Sequence, residues 1–310
     1  MSRSFLPAVV GIALLSAAAT AAPVARRPGA SVTARFDDPA MPMLVAAHRA
    51  CHNPAPRHGM PTSNPENALA GIERCIALGV DIAEVDVRRT RDGYLILMHD
   101  ESVDRTTDGN GRVADLTLSY VRGLHLRDGE GGAEATLTRH GVPTLEEALA
   151  AARGRIMLNL DVQSNLYAET IAAVRRAGQQ DGVIVKQPAA AGSVALADVP
   201  PFDLVPFMPV LVGDADLPDV ARRQLEGTRR PIAFELPRMT EASLPSLAVV
   251  ARRARVRLWV NSLWEGFIAG MGGDVDALRD PDAVWGRMRR AGVSVIQTDE
   301  PEALLAYLSR

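Results

Sequence analysis

The chain has 310 residues, is 47% hydrophobic and carries a formal net charge of −3 at pH 7. That balance leaves room for a sizeable core, excludes a long acidic or basic tail and gives no electrostatic reason to expect nucleic acid as a partner. Arginine supplies almost all of the positive charge, Lys186 being the only lysine.

Residues 1–22 hold Arg3, an apolar run over 5–18 and the small-x-small sequence Ala19-Thr20-Ala21. This is the pattern of a secretory signal peptide, too short for a membrane span, and no cysteine follows it to take a lipid anchor. Export to the periplasm or the medium is expected, with no stable membrane insertion after cleavage. In that oxidising setting Cys51 and Cys75, the only cysteines, are candidates for a disulfide that geometry must decide. Residues 23–41, rich in Ala, Pro and Arg without periodicity, read as a flexible lead-in, and residues 42–310 as one folded domain.

Residues 43–47 form a buried strand run that closes on His48-Arg49. The loop over 50–63 carries three prolines together with His52 and His58, which read more readily as solvated loop residues than as ligands. Asn64 suits a helix N-cap and Pro65 the first helical position, with apolar residues at helical spacing until Gly79. In that reading Glu66 either complements the helix dipole or belongs to a site. Residues 81–100, DIAEVDVRRTRDGYLILMHD, then place Glu84, Asp86 and His99 in one short apolar hairpin. The side-chain period of two sends Glu84 and Asp86 to one face about 7 Å apart, and Arg91-Asp92-Gly93 supplies the turn. The two carboxylates either share a divalent cation or form ion pairs with arginines such as Arg88 and Arg89.

The polar loop over 101–112, with Arg105, is expected to overhang whatever His99 serves. A short helix is expected over 116–124, an excursion of no regular form over 125–141 and a helix from Pro143 to Gly154. From there strand runs at 156–162, 183–187, 204–211, 232–236, 256–261 and 293–297 alternate with helical patterns at 168–177, 219–225, 244–254 and 282–291. Counted with 43–47 and 82–87 they make eight parallel strands, and residues 94–98 follow strand two too closely for a parallel crossover. The fold class is therefore α/β, a (β/α)8 TIM barrel with an extra β-hairpin strand after strand two, with a doubly wound sheet as runner-up that lacks a GxGxxG turn. In a barrel the carboxyl ends of the strands bring His48, Arg49, Glu84, Asp86 and Asp161 to one rim.

Glu84, Asp86 and Asp161 are hard oxygen donors that suit one Mg²⁺ or Ca²⁺ better than zinc. His48 and His99, from separate segments, can act as acid and base, and Arg49 offers a fork for a tetrahedral anion. Such a set describes cleavage of a phosphodiester.

His48-Arg49, Pro65-Glu66-Asn67, Glu84-x-Asp86, Thr90-x-Asp92-Gly93, His99-Asp100, Arg105-Thr106-Thr107-x-Gly109, Pro143-Thr144-Leu145-Glu146-Glu147 and Thr298-Asp299-x-Pro301 occur in this order. Together they resemble the glycerophosphodiester phosphodiesterase family from about residue 43 to the end. The resemblance implies a TIM barrel, a divalent cation on Glu84, Asp86 and Asp161, catalysis by His48 and His99, phosphate binding by Arg49, and release of an alcohol and glycerol 3-phosphate from a small phosphodiester. Two alternatives stand beside it: a phospholipase D-like cleavage of lysophospholipids through a cyclic phosphate, and a non-catalytic phosphodiester-binding barrel.

Three departures qualify the likeness. The family's His-Arg-Gly is His48-Arg49-Ala50, where Ala50 reaches positive φ only at a cost. Its Glu-x-Lys is Asp161-Val162-Gln163, so that Lys186 on the next strand either replaces the missing charge near the substrate or caps a strand end. The enlarged loop over 52–63 is expected to reshape the pocket. Trp259 either walls the substrate's apolar side or packs in the core, while Glu235 and Asp299 are weaker rim candidates.

Overall fold

In a computed structural model, residues 31–37, 42–163, 165–213 and 216–310 are described. The expected signal peptide lies outside them. Among them, eight parallel strands close a ring: β1 (Leu44–Ala47), β2 (Ile82–Arg89), β6 (Met157–Val162), β7 (Val183–Ala189), β8 (Phe207–Leu211), β9 (Ala233–Leu236), β11 (Arg257–Asn261) and β13 (Val295–Thr298), with β1 pairing both β2 and β13. The extra strand β3 (Leu95–Leu97) runs antiparallel to β2 outside the ring. The closed barrel anticipated from the strand spacing is the one observed.

Alternation along each strand builds two cores. Outward residues such as Val45, Val85, Leu160 and Val185 pack under the helices. Inward residues Leu44, Ile82, Met157, Ile184, Met208, Trp259 and Val295 fill the barrel floor. Above that floor the inward positions turn polar: Glu84 stands level with Asn159, and Asp86 with Asp161. A barrel interior is a packed solid, so the change from hydrocarbon to carboxylate along the same strands fixes the depth of the site.

Several elements differ from expectation for identifiable reasons. Helix α2 (Leu69–Leu78) begins at Leu69, after Asn67, whose φ of 55° is left-handed. Asn67 is held there because its side chain both donates to Asp86 Oδ2 at 2.8 Å and accepts from Asp86 N at 2.9 Å. The helix over 116–124 shortens to α3 (Leu118–Val121), and the excursion after it is a hairpin of β4 (His125–Arg127) and β5 (Leu137–Gly141). Helix α1 (Val32–Asp37), inside the stretch read as lead-in, puts Phe36 into the floor core beneath the Arg257 guanidinium and pairs Arg35 with Asp81. A further helix, α8 (Asp274–Arg279), had no clear periodic signal. Cys51 and Cys75 are bonded, which fastens the turn after β1 to α2. Among the described residues no helix is long and apolar enough to cross a membrane.

Candidate active site

The carboxyl ends of the strands open on a cavity of about 520 Å³ whose lining includes His48, Arg49, Glu84, Asp86, His99, Asp161 and Lys186. Of the residues expected at the site, Glu66 lies directly behind Arg49, whereas Trp259 does not reach the cavity. Trp259 is 0% exposed in the floor core and donates Nε1–H to Asn261 Oδ1 at 3.2 Å, so it takes the packing role. Trp264, three residues beyond β11, is the indole at the mouth.

Each histidine is held the same way. His48 Nδ1 lies 2.9 Å from Asp299 Oδ1, and His99 Nδ1 lies 2.7 Å from Asp100 Oδ1. A carboxylate can only accept, so each Nδ1 carries a proton, and it is Nε2 that is left to give or take a proton at the cavity. Asp299 is itself anchored, its N–H donating to Asp274 Oδ2 at 2.8 Å while Asp274 Oδ1 accepts from Ser262 Oγ at 2.6 Å. Burial disfavours the His48 imidazolium, but the Asp299 hydrogen bond and the charges of Glu84 and Asp299 outweigh it and raise the pKa above the ordinary histidine value. Asp100 is gripped by Arg105, Nε to Oδ2 at 2.8 Å and Nη2 to Oδ1 at 2.9 Å, which holds its carboxyl well below the usual range.

Arg105 also explains Glu66. Its guanidinium donates to both Glu66 oxygens, at 2.8 and 3.0 Å, and Glu66 Oε2 accepts from Arg49 Nη1 at 2.9 Å. A continuous strut thus runs Arg49, Glu66, Arg105, Asp100, His99. Glu66 is buried in this pairing and caps no helix. Arg49 keeps one buried donor, Nε, without a hydrogen-bond partner. A guanidinium N–H so left is costly unless a ligand oxygen meets it.

The turn that carries His48 and Arg49 is left-handed at two consecutive positions, with φ of 49° at Arg49 and 64° at Ala50. Ala50 therefore adopts the conformation that a glycine would take freely. The strain is offset locally: Arg49 N donates to Glu84 Oε2 at 2.8 Å, Ala50 N to Glu84 O at 2.7 Å, and the disulfide follows at Cys51. The enlarged loop beyond it does not line the cavity. It is tied to helix α10 (Pro301–Leu308) and the residue before it, Asn53 donating to Glu300 at 2.9 Å and His58 Nδ1 lying 2.7 Å from Glu302. His52 is buried, its Nε2 3.6 Å from Asp299.

Glu84, Asp86 and Asp161 each offer an oxygen within 4.8 Å of the others. Burial, then the neighbouring charge of Asp86, pushes Glu84 up to about 8, and burial followed by Asp161 raises Asp86. Such a set calls for a cation or a proton, and all-oxygen donors fit a hard divalent ion. Lys186 supplies part of the compensation, with Nζ 3.0 Å from Asp161 Oδ2 and 3.4 Å from Glu235 Oε2. Burial raises Asp161, but the ammonium more than reverses this and leaves its pKa lowered. Lys186 is likewise held well above its usual value, burial opposing its charge and Glu235, Asp161 and Glu84 restoring it. Its amine therefore lies on the same side of the barrel as Asp161, in the cavity, and does not cap a strand end.

Residues 58–186 match the profile described as the glycerophosphoryl diester phosphodiesterase family, and residues 207–308 match a domain of unknown function. The first match takes in Glu84, Asp86, His99, Asp161 and Lys186 and begins just after His48 and Arg49. The chain is 28% identical over 278 residues to a glycerophosphodiester phosphodiesterase of Caldanaerobacter subterraneus subsp. tengcongensis, covering 86% of this chain and 97% of that one. A glycerophosphoryl diester phosphodiesterase structure from Parabacteroides distasonis superposes with a TM-score of 0.69 at 20% identity over 90% of each chain. An Oleispira antarctica phosphodiesterase in complex with its product sn-glycerol-3-phosphate superposes with a TM-score of 0.56 at 17% identity, covering 86% of this chain and 97% of that one. The shared barrel, the matched segment and the near full-length relative agree, and each likens the chain to the glycerophosphoryl diester phosphodiesterase family.

Proposed function

We propose that the protein is an exported, metal-dependent phosphodiesterase that cleaves glycerophosphodiesters to an alcohol and glycerol 3-phosphate. The observation that carries this reading is the convergence, on one cavity, of two aspartate-oriented imidazoles and a cluster of three carboxylates. The relative from Caldanaerobacter and the product-bound phosphodiesterase from Oleispira support the substrate class. The buried Cys51–Cys75 bond supports an oxidising compartment, as an exported protein would meet.

Glu84, Asp86 and Asp161 would hold the cation, Mg²⁺ or Ca²⁺, and when bound it supplies charge neutralisation at the phosphate. The chain's own groups supply the rest. Arg49, whose Nε makes no hydrogen bond and lies 4.0 Å from Asp86 Oδ2, and Lys186 receive the non-bridging phosphate oxygens. His48, raised above the ordinary histidine value by Asp299 and Glu84, donates to the leaving oxygen; His99, the more exposed of the two, takes the proton of the attacking oxygen on Nε2. As the new P–O bond forms, the bond to the leaving alcohol breaks and its oxygen collects the His48 proton. Water as the attacker gives glycerol 3-phosphate, and a glycerol hydroxyl gives a cyclic phosphate.

The test is turnover of a panel of glycerophosphodiesters followed by phosphorus NMR, first in EDTA and then with Mg²⁺ or Ca²⁺ restored. Turnover should require the ion, should fall at least about 10²-fold in His48→Ala and in His99→Ala, and should yield glycerol 3-phosphate. A persistent cyclic product would replace hydrolysis with internal transfer. Binding of diesters without turnover would leave only a binding barrel.

A further inference from the structure

We propose that the alcohol arm of the substrate carries a hydrocarbon chain or ring, and that Trp264 is the residue that selects for it; this rests on the phosphodiesterase reading and names its substrate class. The cavity changes character around the ring. Along the contiguous run β13, β1, β2, β6 the strand ends contribute Gln297, His48, Arg49, Glu84, Asp86 and Asp161. Along the other run, β7, β8, β9, β11, Lys186, Glu235 and Asn261 keep the inner positions polar, but the outer rim is Pro188, Val210, Pro237 and Leu263, continued by Trp264 and Phe267. A phosphate drawn to the first arc therefore leaves one of its ester arms lying over the second.

The aromatic pair belongs to a built surface. Trp264 and Phe267 pack with ring centroids 4.7 Å apart and planes tilted by 54°, yet Trp264 remains 58% exposed. Their loop is fastened by the parallel pairing of Met239–Thr240, just after β9, with Ile268–Ala269. Gly270 N donates to Glu265 Oε1 at 3.1 Å, and Gly273 packs so tightly on the Trp264 backbone that a Cβ there would come within 2.6 Å. An indole held open beside a reacting centre gains by covering apolar surface. Trp264 and Phe267 offer π-faces that a quaternary ammonium would also accept, but the proline, valine and leucine of the rest of the arc have none, so a hydrocarbon is the arm that uses the whole wall.

The experiment varies one alcohol while glycerol 3-phosphate stays constant: diesters to ethanol, choline, n-hexanol and benzyl alcohol, assayed with the full chain. Each buried methylene is worth roughly fourfold, so the hexyl and benzyl diesters should exceed the ethyl and choline diesters by at least about tenfold in kcat/KM. Trp264→Ala should erase most of that ratio, and Trp264→Phe should keep it within about threefold. Val210→Ser on the same wall should also lower the ratio, which keeps the test open if Trp264→Ala melts early. A hexadecyl diester in phosphatidylcholine vesicles separates the sources: turnover there marks a lipid alcohol, and turnover of the hexyl diester alone marks a soluble one, both in keeping with the inference. Equal kcat/KM across the alcohols, a choline diester that leads the series, or a Trp264→Ala loss that is the same for every diester overturns it. Turnover of none of them takes down the hydrolase reading itself.

Discussion

Binding of a divalent cation to the Glu84 cluster should release close to one proton at neutral pH. Glu84 stands at about 8 because it is buried beside Asp86 with only Lys186 and His48 to offset it. A carboxyl titrating there is roughly 90% protonated at pH 7, and a cation must displace that proton to reach the oxygen. Affinity for Mg²⁺ or Ca²⁺ should therefore climb up to about tenfold per pH unit below pH 8 and level off above it. The sign for stability is the opposite in the ion-free protein. The folded chain binds more protons than the unfolded one between the ordinary glutamate value of 4.5 and about 8, so stability declines as pH rises through that window. A cation at one hundred times its Kd should restore about 2.7 kcal/mol, or roughly 5 °C in Tm. Titration calorimetry in two buffers of different ionisation heat counts the protons, and Glu84→Gln should abolish the count and weaken binding. Heats that do not depend on the buffer, or Glu84→Gln binding the ion as the native chain does, would refute the reasoning.

Asp299→Asn lets an amide N–H face His48 Nδ1 and favours the wrong tautomer, so kcat should fall by roughly 10²–10⁴. Because Asp299 helps to raise His48, the alkaline limb of the pH–rate profile should also move to lower pH; an unmoved limb would assign Asp299 to structure alone. Lys186→Met strands Glu235 in the barrel and should cost about 3 kcal/mol in urea unfolding, with Lys186→Met/Glu235→Gln recovering part of it. No recovery would mean that this pair contributes little. Replacing both cysteines by alanine opens a loop with a sequence separation of 24 and should cost about 3.5 kcal/mol on the chain-entropy account. An unchanged midpoint would show that the turn after β1 is fixed without it.

The barrel was legible in the chain because strands buried on both faces read as apolar runs, and because only six residues separate the second run from the third, which rules out a parallel crossover between them. Glu84, Asp86, Asp161, His48 and His99 were legible for the same reason: ionisable groups at the ends of apolar runs stand out. What stayed hidden depends on contacts between distant segments. The role of Glu66 follows from Arg105, 39 positions away, and that of Asp299 from His48, 251 positions away. Asn64-Pro65 has the local chemistry of a helix start, but the two hydrogen bonds between Asn67 and Asp86 override it. Trp259 and Trp264 could not be told apart by type. Their fates follow from the pleat, which turns Trp259 down into the floor, and from the loop that carries Trp264 out to the mouth.

Lys186 is the sole lysine of the chain and it lines the cavity. An amine-acylating reagent, ordinarily indiscriminate toward proteins, therefore meets one internal ε-amino group here, and that group is where a phosphate would rest. Because that amine is buried and held protonated between Asp161 and Glu235, such reagents should spare it and fall on the chain's α-amino group, so that coupling to a solid support through amines leaves the site clear.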